Sequence, residues 1–357
     1  MSERLSSSNP SEAPSPSSAD PSGAPSAPSV IPSGAPQARS RGIPCGGSAT
    51  ASEHLYLLGH PIAHSKSPDM YNAAYAALGL PWRYDLADCA TEDEARALLD
   101  GRGFLSVNIT TPYKPLAFEA ATVQAASAKL ARGANLLVRR GDALIAYNTD
   151  GEGCVAYLER AGFDFAGARV VVCGTGPTAL AIYHACAVAG ADDLVLLSRS
   201  KERSRRALSA YAKLFGTLSA ATIDLPAPHE GHRSFRAAYD EPAFRFGSYR
   251  TSTQAIAHAD LVIDATPLGM HEGDPAPFDP ALLHAGQWVF DVVYGHGTTA
   301  LVDAARKAGC EVRDGAGMLV AQAVATVRIV CDVAGADTSL DDDALFALMS
   351  QAAAFDL

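Results

Sequence analysis

From residue 55 onward the chain alternates between short apolar runs and longer segments whose apolar residues recur every three to four positions. Leu55-Tyr56-Leu57-Leu58, Trp82-Arg83-Tyr84 and Phe104 to Ile109 are too short for helices and predict strands. Between them, Met70, Tyr71, Ala74 and Leu78 lie on one side of a helix that begins at Asp69. Thr91 followed by Glu94 reads as a capping box for a helix to Leu99. Ala117 to Ala131 reads as one Ala-rich helix, Leu136 to Val138 as a strand, and Glu152 to Arg160 as a helix. The alternation continues through strands at Val170 to Cys173 and Leu194 to Leu197, with a helix between them stopped by Gly190, and lapses after Leu208 to Phe215. Strands at Leu261 to Ile263 and Val289 to Tyr294, then a helix over Thr299 to Ala308, follow. Such an order predicts an α/β fold on mostly parallel sheets.

Polar residues gather just past the strand ends, where α/β sheets bind ligands. The strongest case is Gly174-Thr175-Gly176-Pro177-Thr178-Ala179, which leaves one apolar strand and opens a helix that leads to the next. That strand–turn–helix–strand context makes the glycine pattern a dinucleotide site. Glycines admit the backbone to a pyrophosphate, and the helix start offers free N–H groups and the positive end of its dipole. The next strand ends in Ser198-Arg199-Ser200, with Lys201 and Arg203 just beyond, while Asp192 and Asp193 sit at its opposite end. An arginine flanked by hydroxyls suits a ribose 2′-phosphate, so the expected cofactor is NADP(H). The competing reading is a solvated basic helix start, since Arg205 and Arg206 continue the run.

Composition narrows the partners. A formal charge of −11 over 357 residues argues against nucleic acid. No unbroken apolar run is long enough to span a membrane, so no membrane partner is expected. The seven cysteines are scattered without a C-x-x-C pair, which points to a reducing compartment, the cytoplasm, and to no zinc site. His60 and His64 share one loop without a third ligand, so no metal is expected. Residues 1–40 hold thirteen Ser, eight Pro and six Ala with no aromatic residue, and residues 1–50 as a whole are predicted to be a disordered tail. A transit peptide is the other reading of this start, weakened by Glu3, Glu12 and Asp20 and by scarce Arg. Residues 217–245 break the alternation and read as an insertion.

Eight pieces in order resemble the shikimate/quinate dehydrogenase family. They are G-H-P-I-A-H-S-K-S-P at 59–68, N-I-T-T-P-Y-K at 108–114, G-A-N at 133–135, N-T-D-G at 148–151, the glycine turn, A-T-P-L-G-M at 265–270, D-V-V-Y at 291–294 and G-x-x-M-L-V-A-Q at 315–322. The resemblance implies a substrate-binding domain over 51–150, completed by about 315–357. It also implies a Rossmann-type NADP domain over 151–314, with the active site in the cleft between the two. It implies reversible hydride transfer between NADP(H) and the shikimate/3-dehydroshikimate couple, with Lys114 and Asp150 as the catalytic pair. Ser65 and Ser67 fall at the substrate carboxylate, and Thr110, Asn135, Asp150, Tyr294 and Gln322 at the ring hydroxyls. Gly174, Thr175, Gly176, Pro177, Thr178, Ser198, Arg199, Ser200, Arg203, Thr266 and Gly315 fall to the cofactor.

Taken singly, Lys114 also reads as an exposed loop lysine, Asp150 as a helix-start acid, and Ser65-Lys66-Ser67 as a turn and cap before Pro68. The chain departs from the family pattern, closer to G-A-G-G-A, in having Pro177 and Thr178. Leu136 stands where Thr is common, and Ala146 where Gly is frequent. These departures keep quinate or an aminoshikimate-type substrate open. A silent ligand sensor and a methylene-tetrahydrofolate dehydrogenase are the readings from other classes. Retention of Lys114 and Asp150 argues against the first, and the Ser-Lys-Ser and Asn-Thr-Asp-Gly loops against the second. A homodimer is the assembly kept open.

Overall fold

A computed structural model of the chain describes residues 52–221 and 245–357. The expectation for the tail lies outside the described residues, as does most of the insertion expected over 217–245. Residues 217–221, however, complete the Lys201–Ala221 helix and Arg245 opens a strand, so neither end belongs to an inserted loop. Two six-stranded sheets carry the fold. The first holds β1 (His54–Gly59), β2 (Arg83–Asp88), β3 (Ser106–Ile109), β4 (Val123–Gln124), β5 (Leu136–Arg140) and β6 (Ala143–Tyr147), in the order β2-β1-β3-β5-β6-β4. β1 runs parallel to β2 and β3, whereas β5 is antiparallel to both β3 and β6. The second holds β7 (Arg169–Cys173), β8 (Asp193–Ser198), β9 (Arg245–Ser248), β10 (Leu261–Asp264), β11 (Trp288–Asp291) and β12 (Glu311–Asp314). Its order, β12-β11-β10-β7-β8-β9, is parallel throughout and reverses between β7 and β10. This is the doubly wound dinucleotide order.

The topology gathers the polar loops. In the first sheet, the register pairs Leu58 with Ile109, Asn108 with Leu136, and Leu136 with Tyr147. The loops after β1, β3 and β6, and the loop before β5, therefore share one edge. In the second sheet, the loops after β7, β8, β10, β11 and β12 leave one carboxyl edge.

One helix expectation needs correction. Ala117 to Ala131 is not one helix: Lys114–Ala120 and Ala126–Ala131 are separate helices with β4 between them. Thr122 breaks it by exchanging hydrogen bonds with the Leu144 backbone at 2.8–3.1 Å, so sheet pairing overrides alanine's helix preference. The Gly315–Ala334 helix is apolar and long enough to cross a membrane by length and composition. Most of it is buried within the fold, against the Asp150–Arg160 and Ser67–Ala77 helices, so its apolar character is that of a core element.

Three glycines let the central helices meet. A Cβ on Gly151 would lie 2.6 Å from the Ala181 carbonyl carbon, so the Asp150–Arg160 helix rests directly on the backbone of the Pro177–Val188 helix. A Cβ on Gly153 would lie 2.6 Å from the Gln322 nitrogen, which sets the same helix equally close to Gly315–Ala334. Gly317 leaves room for the ring of Tyr157. Asp150 thus starts a helix wedged between two others.

Candidate active site

The edge of the first sheet and the glycine turn of the second meet at Lys114 and Asp150. Lys114 begins the helix after β3, and Asp150 begins the helix after β6. The Lys114 Nζ lies 2.5 Å from Asp150 Oδ2. Side-chain exposure is 17% for the lysine and 3% for the aspartate, so this is a shielded pair rather than a surface ion pair. Each isolated reading of the sequence, a loop lysine and a helix-start acid, is half right in position and misses the contact.

The Asp150 carboxylate is well provided with donors. Oδ2 accepts from Lys114 and, at 2.9 Å, from the Thr178 hydroxyl, while Oδ1 accepts from Asn135 Nδ2 at 2.8 Å. Its place in the first turn of a helix adds the favourable end of the dipole. Such bonding offsets the cost of burying the charge. Asn135 Nδ2 also lies 2.8 Å from Gln322 Oε1 and 2.9 Å from Thr149 Oγ1, and its Oδ1 accepts from Thr149 N. Lys114, Asn135, Asp150 and Gln322 therefore form one hydrogen-bonded group drawn from four distant stretches of chain.

Of the other substrate-side residues, Ser65, Ser67 and Thr110 follow strands of the first sheet and Tyr294 follows β11 of the second, and none joins that group among the described residues. Ser65 and Ser67 hydroxyls are 3.2 Å apart, and Ser67 is buried. Thr110 follows β3, its methyl filling the space that a Cβ on Gly59 would need. Tyr294 packs edge-on to Phe355 at 6.2 Å, and burial pushes its phenol up to about 12. His60 Nδ1 pairs with Asp88 at 2.7 Å, and the His64 ring meets His296 at 5.8 Å. Among the described residues no cluster of His, Cys, Asp and Glu is arranged for a metal.

On the second sheet, Gly174 has φ +120 and touches the Ala265 carbonyl, a path open to glycine. Gly176 caps the Pro177–Val188 helix, and a Cβ there would meet nothing within 4 Å, so the turn faces open space. Thr175 lies between them. Ser198 ends β8, and its hydroxyl reaches Ser200 O at 2.8 Å and Ser204 Oγ at 2.9 Å; Ser200 Oγ accepts from Arg203 N at 3.4 Å. Arg205 and Arg206 are both paired with Glu202. Arg199 and Arg203 are exposed and have no ion-pair partner among the described residues. Asp193 pairs with Arg245 at the far end of β8. Thr266 follows β10, its nitrogen bonded to Asp264 at 2.9 Å. Gly315 starts a long helix against the Val292 carbonyl.

The sequence reading missed Asn148 and Thr149 as supports. Asn148 Oδ1 accepts from Asp150 N at 3.0 Å and its Nδ2 donates to Gly133 O at 3.0 Å, which ties two loops together. Asn-Thr-Asp carries the signal of an Asx turn. The resemblance gives Thr178 to the cofactor, and its hydroxyl also faces the pair: it accepts from Lys114 Nζ at 3.1 Å while donating to Asp150.

A doubly wound dinucleotide sheet whose glycine turn abuts a lysine–carboxylate pair on a second sheet has the architecture of a two-sheet nicotinamide-dependent dehydrogenase. Residues 57–137 match the model of the shikimate dehydrogenase substrate binding domain. A shikimate dehydrogenase (NADP(+)) of Moorella thermoacetica is 38% identical over 76% of this chain and 86% of its own. A quinate/shikimate dehydrogenase of Escherichia coli is 31% identical over 76% of this chain and 88% of its own. The chain belongs to the shikimate/quinate dehydrogenase family. The fold is also that of a Thermus thermophilus shikimate 5-dehydrogenase solved with NADP(H) and shikimate: TM-score 0.65, 23% identity, covering 84% of this chain and 99% of that one.

Proposed function

We propose that the protein is an NADP-dependent shikimate dehydrogenase, which interconverts 3-dehydroshikimate and shikimate on the route to chorismate and the aromatic amino acids. The observation that carries the reading is the shielded Lys114–Asp150 pair beside an open glycine turn. The cofactor, when bound, supplies or removes hydride at its nicotinamide C4. The residues present fit it. Gly174, Thr175 and Gly176 leave space for a pyrophosphate, and the N–H of Thr178 sits in the first turn of a helix, where donors are free. Pro177 brings no N–H but fixes the helix start. Arg199 and Arg203, exposed and without an ion-pair partner among the described residues, stand with exposed Ser200 beside buried Ser198 at the strand tip, where a 2′-phosphate belongs. Thr266 and Gly315 border the nicotinamide end in this reading.

In the reducing direction the substrate oxygen gains negative charge as its carbon receives hydride. The Lys114 ammonium stabilises that charge and delivers a proton to the oxygen. Asp150 holds Nζ in place and balances its charge. Ser65 and Ser67 take the substrate carboxylate with neutral donors, which avoids a second buried cation beside Lys114. Thr110, Asn135, Tyr294 and Gln322, with Asp150, take the ring hydroxyls. In this account the first sheet and the last two helices form the substrate side, and the second sheet forms the cofactor side. A cytoplasmic setting belongs to the same proposal, supported by six described cysteines that are all free thiols.

The E. coli relative's name includes quinate, so quinate is the second substrate to test. Purified protein is assayed at 340 nm with shikimate or quinate and NADP⁺ or NAD⁺. Shikimate with NADP⁺ is expected to give the highest kcat/KM. Preference for quinate, for NAD⁺, or absence of turnover would overturn the assignment.

A further inference from the structure

Thr178 makes contacts that its place in a phosphate-binding turn does not require. Its hydroxyl donates to Asp150 Oδ2 at 2.9 Å and accepts from Lys114 Nζ at 3.1 Å, while Nζ meets the same Oδ2 at 2.5 Å. The three groups close a triangle in which every edge is a hydrogen bond. We propose that Thr178 is a positioning residue that fixes the Lys114 ammonium from the cofactor side, so that its remaining N–H is aimed at the substrate oxygen. This rests on the reading of Lys114 as the group that serves that oxygen.

The donor count supports it. An ammonium has three N–H bonds. Asp150 and Thr178 use two, which leaves one. Without Thr178, Nζ would be held by a single acceptor at the end of a flexible four-carbon stem and could pivot about it. Asp150 meets Nζ through Oδ2 alone, while its Oδ1 faces Asn135 on the other side.

The backbone of Thr178 is itself anchored. Pro177 fixes φ at the first helical residue, and its ring lies against Gly133, where a Cβ would come within 2.7 Å of the Pro177 Cβ and Cγ. Gly133 is in turn tied through its carbonyl to Asn148, two residues before Asp150. Pro177 and Thr178 therefore lock the glycine turn onto the same loops that hold the pair. A hydroxyl at position 178 is needed for this; a methyl group is not enough.

The test compares Thr178→Val, which keeps the shape, with Thr178→Ser, which keeps the hydroxyl, each alone and in a Lys114→Met background. The measurements are kcat and KM for shikimate oxidation, Kd for NADPH by fluorescence, and Tm. Thr178→Val is expected to lower kcat roughly ten- to a hundred-fold, the range for a bond to a charged group. Thr178→Ser should recover to within about threefold of wild type, and NADPH Kd should move by less than about threefold in both. In the Lys114→Met background Thr178→Val should have no further effect, because it acts through the lysine. The inference is overturned if Thr178→Val keeps kcat within about twofold of wild type while Lys114→Met collapses. It is equally overturned if Kd for NADPH rises as much as kcat falls, which would make Thr178 a cofactor contact, or if Ser is no better than Val. A Lys114→Met enzyme that remains active would instead defeat the reading beneath it.

Discussion

Replacing Gly151 by alanine adds one methyl group where two helices touch backbone to backbone. The new Cβ would stand 2.6 Å from the Ala181 carbonyl carbon, closer still to its oxygen, and 3.0 Å from the Ala185 Cβ. Ordinary contacts of this kind are about 3.5–4 Å, so the Asp150–Arg160 and Pro177–Val188 helices have to part by about 1 Å. Neither obstacle is a flexible side-chain tip, so the cost belongs at the upper end of overpacking, about 2–3 kcal/mol. Alanine's better helix propensity returns about 1 kcal/mol. A net loss of about 1–2 kcal/mol corresponds to a fall in Tm of several degrees. Activity should suffer more. Asp150 and Thr178 lie on the two helices being separated, and their 2.9 Å bond would stretch beyond hydrogen-bond range. A misplacement of about 1 Å at a reacting constellation costs on the order of 10²-fold in rate. Thermal unfolding and steady-state shikimate oxidation, with exposed Glu159→Ala on the same helix as control, measure both effects. A Gly151→Ala enzyme with wild-type Tm and kcat would refute the claim that this contact sets the Asp150 position.

Three further outcomes are expected. Asp264 is buried at the end of β10 with Oδ2 unpartnered among the described residues, and burial followed by the neighbouring Asp291 charge pushes its carboxyl up to about 7. The folded protein therefore holds this proton more tightly than the unfolded chain. The contribution to stability is full below the ordinary carboxyl value of about 4 and is lost as pH rises through about 7, at most about 4 kcal/mol. Asp264→Asn should raise Tm at pH 8 more than at pH 5; a gain that does not grow with pH would contradict this. Arg199→Ala should weaken NADPH roughly ten- to a hundred-fold and NADH little, measured by titration of each; equal loss of both would remove the 2′-phosphate assignment. Ser67→Ala should raise KM for shikimate more than it lowers kcat, whereas a pure kcat effect would move the carboxylate elsewhere.

Much of this architecture was legible because parallel strands buried on both faces are written as unbroken apolar runs, as at Val170 to Cys173 and Leu261 to Ile263. β9 and β12 carried no such signal: Arg-Phe-Gly-Ser and Glu-Val-Arg-Asp sit at sheet edges, one face half in water. The β5–β6 hairpin went unread although Gly141-Asp142 between Leu136–Arg140 and Ala143–Tyr147 has the form of a two-residue hairpin loop, with Gly141 at φ +59. The final helix, Asp342–Ala352, was also unread, and it packs on the Ser67–Ala77 helix at the start of the fold. At the site, the motifs marked the loops but could not give their mutual approach. That Lys114, Asn135, Asp150 and Gln322 meet follows from strand register and from Gly151 and Gly153, which are tertiary facts. Thr178 shows the limit most sharply: a position inside a phosphate-binding pattern directs its hydroxyl to the neighbouring sheet's catalytic candidates.

The most direct test of the account is kcat for shikimate oxidation with NADP⁺ by Lys114→Met, under conditions where hydride transfer limits turnover and after the variant is shown to be folded. A fall of about 10²–10⁴-fold, with a smaller change in KM because Ser65 and Ser67 still hold the carboxylate, is the expected result. Retention of more than about a tenth of wild-type kcat would contradict the role of the pair.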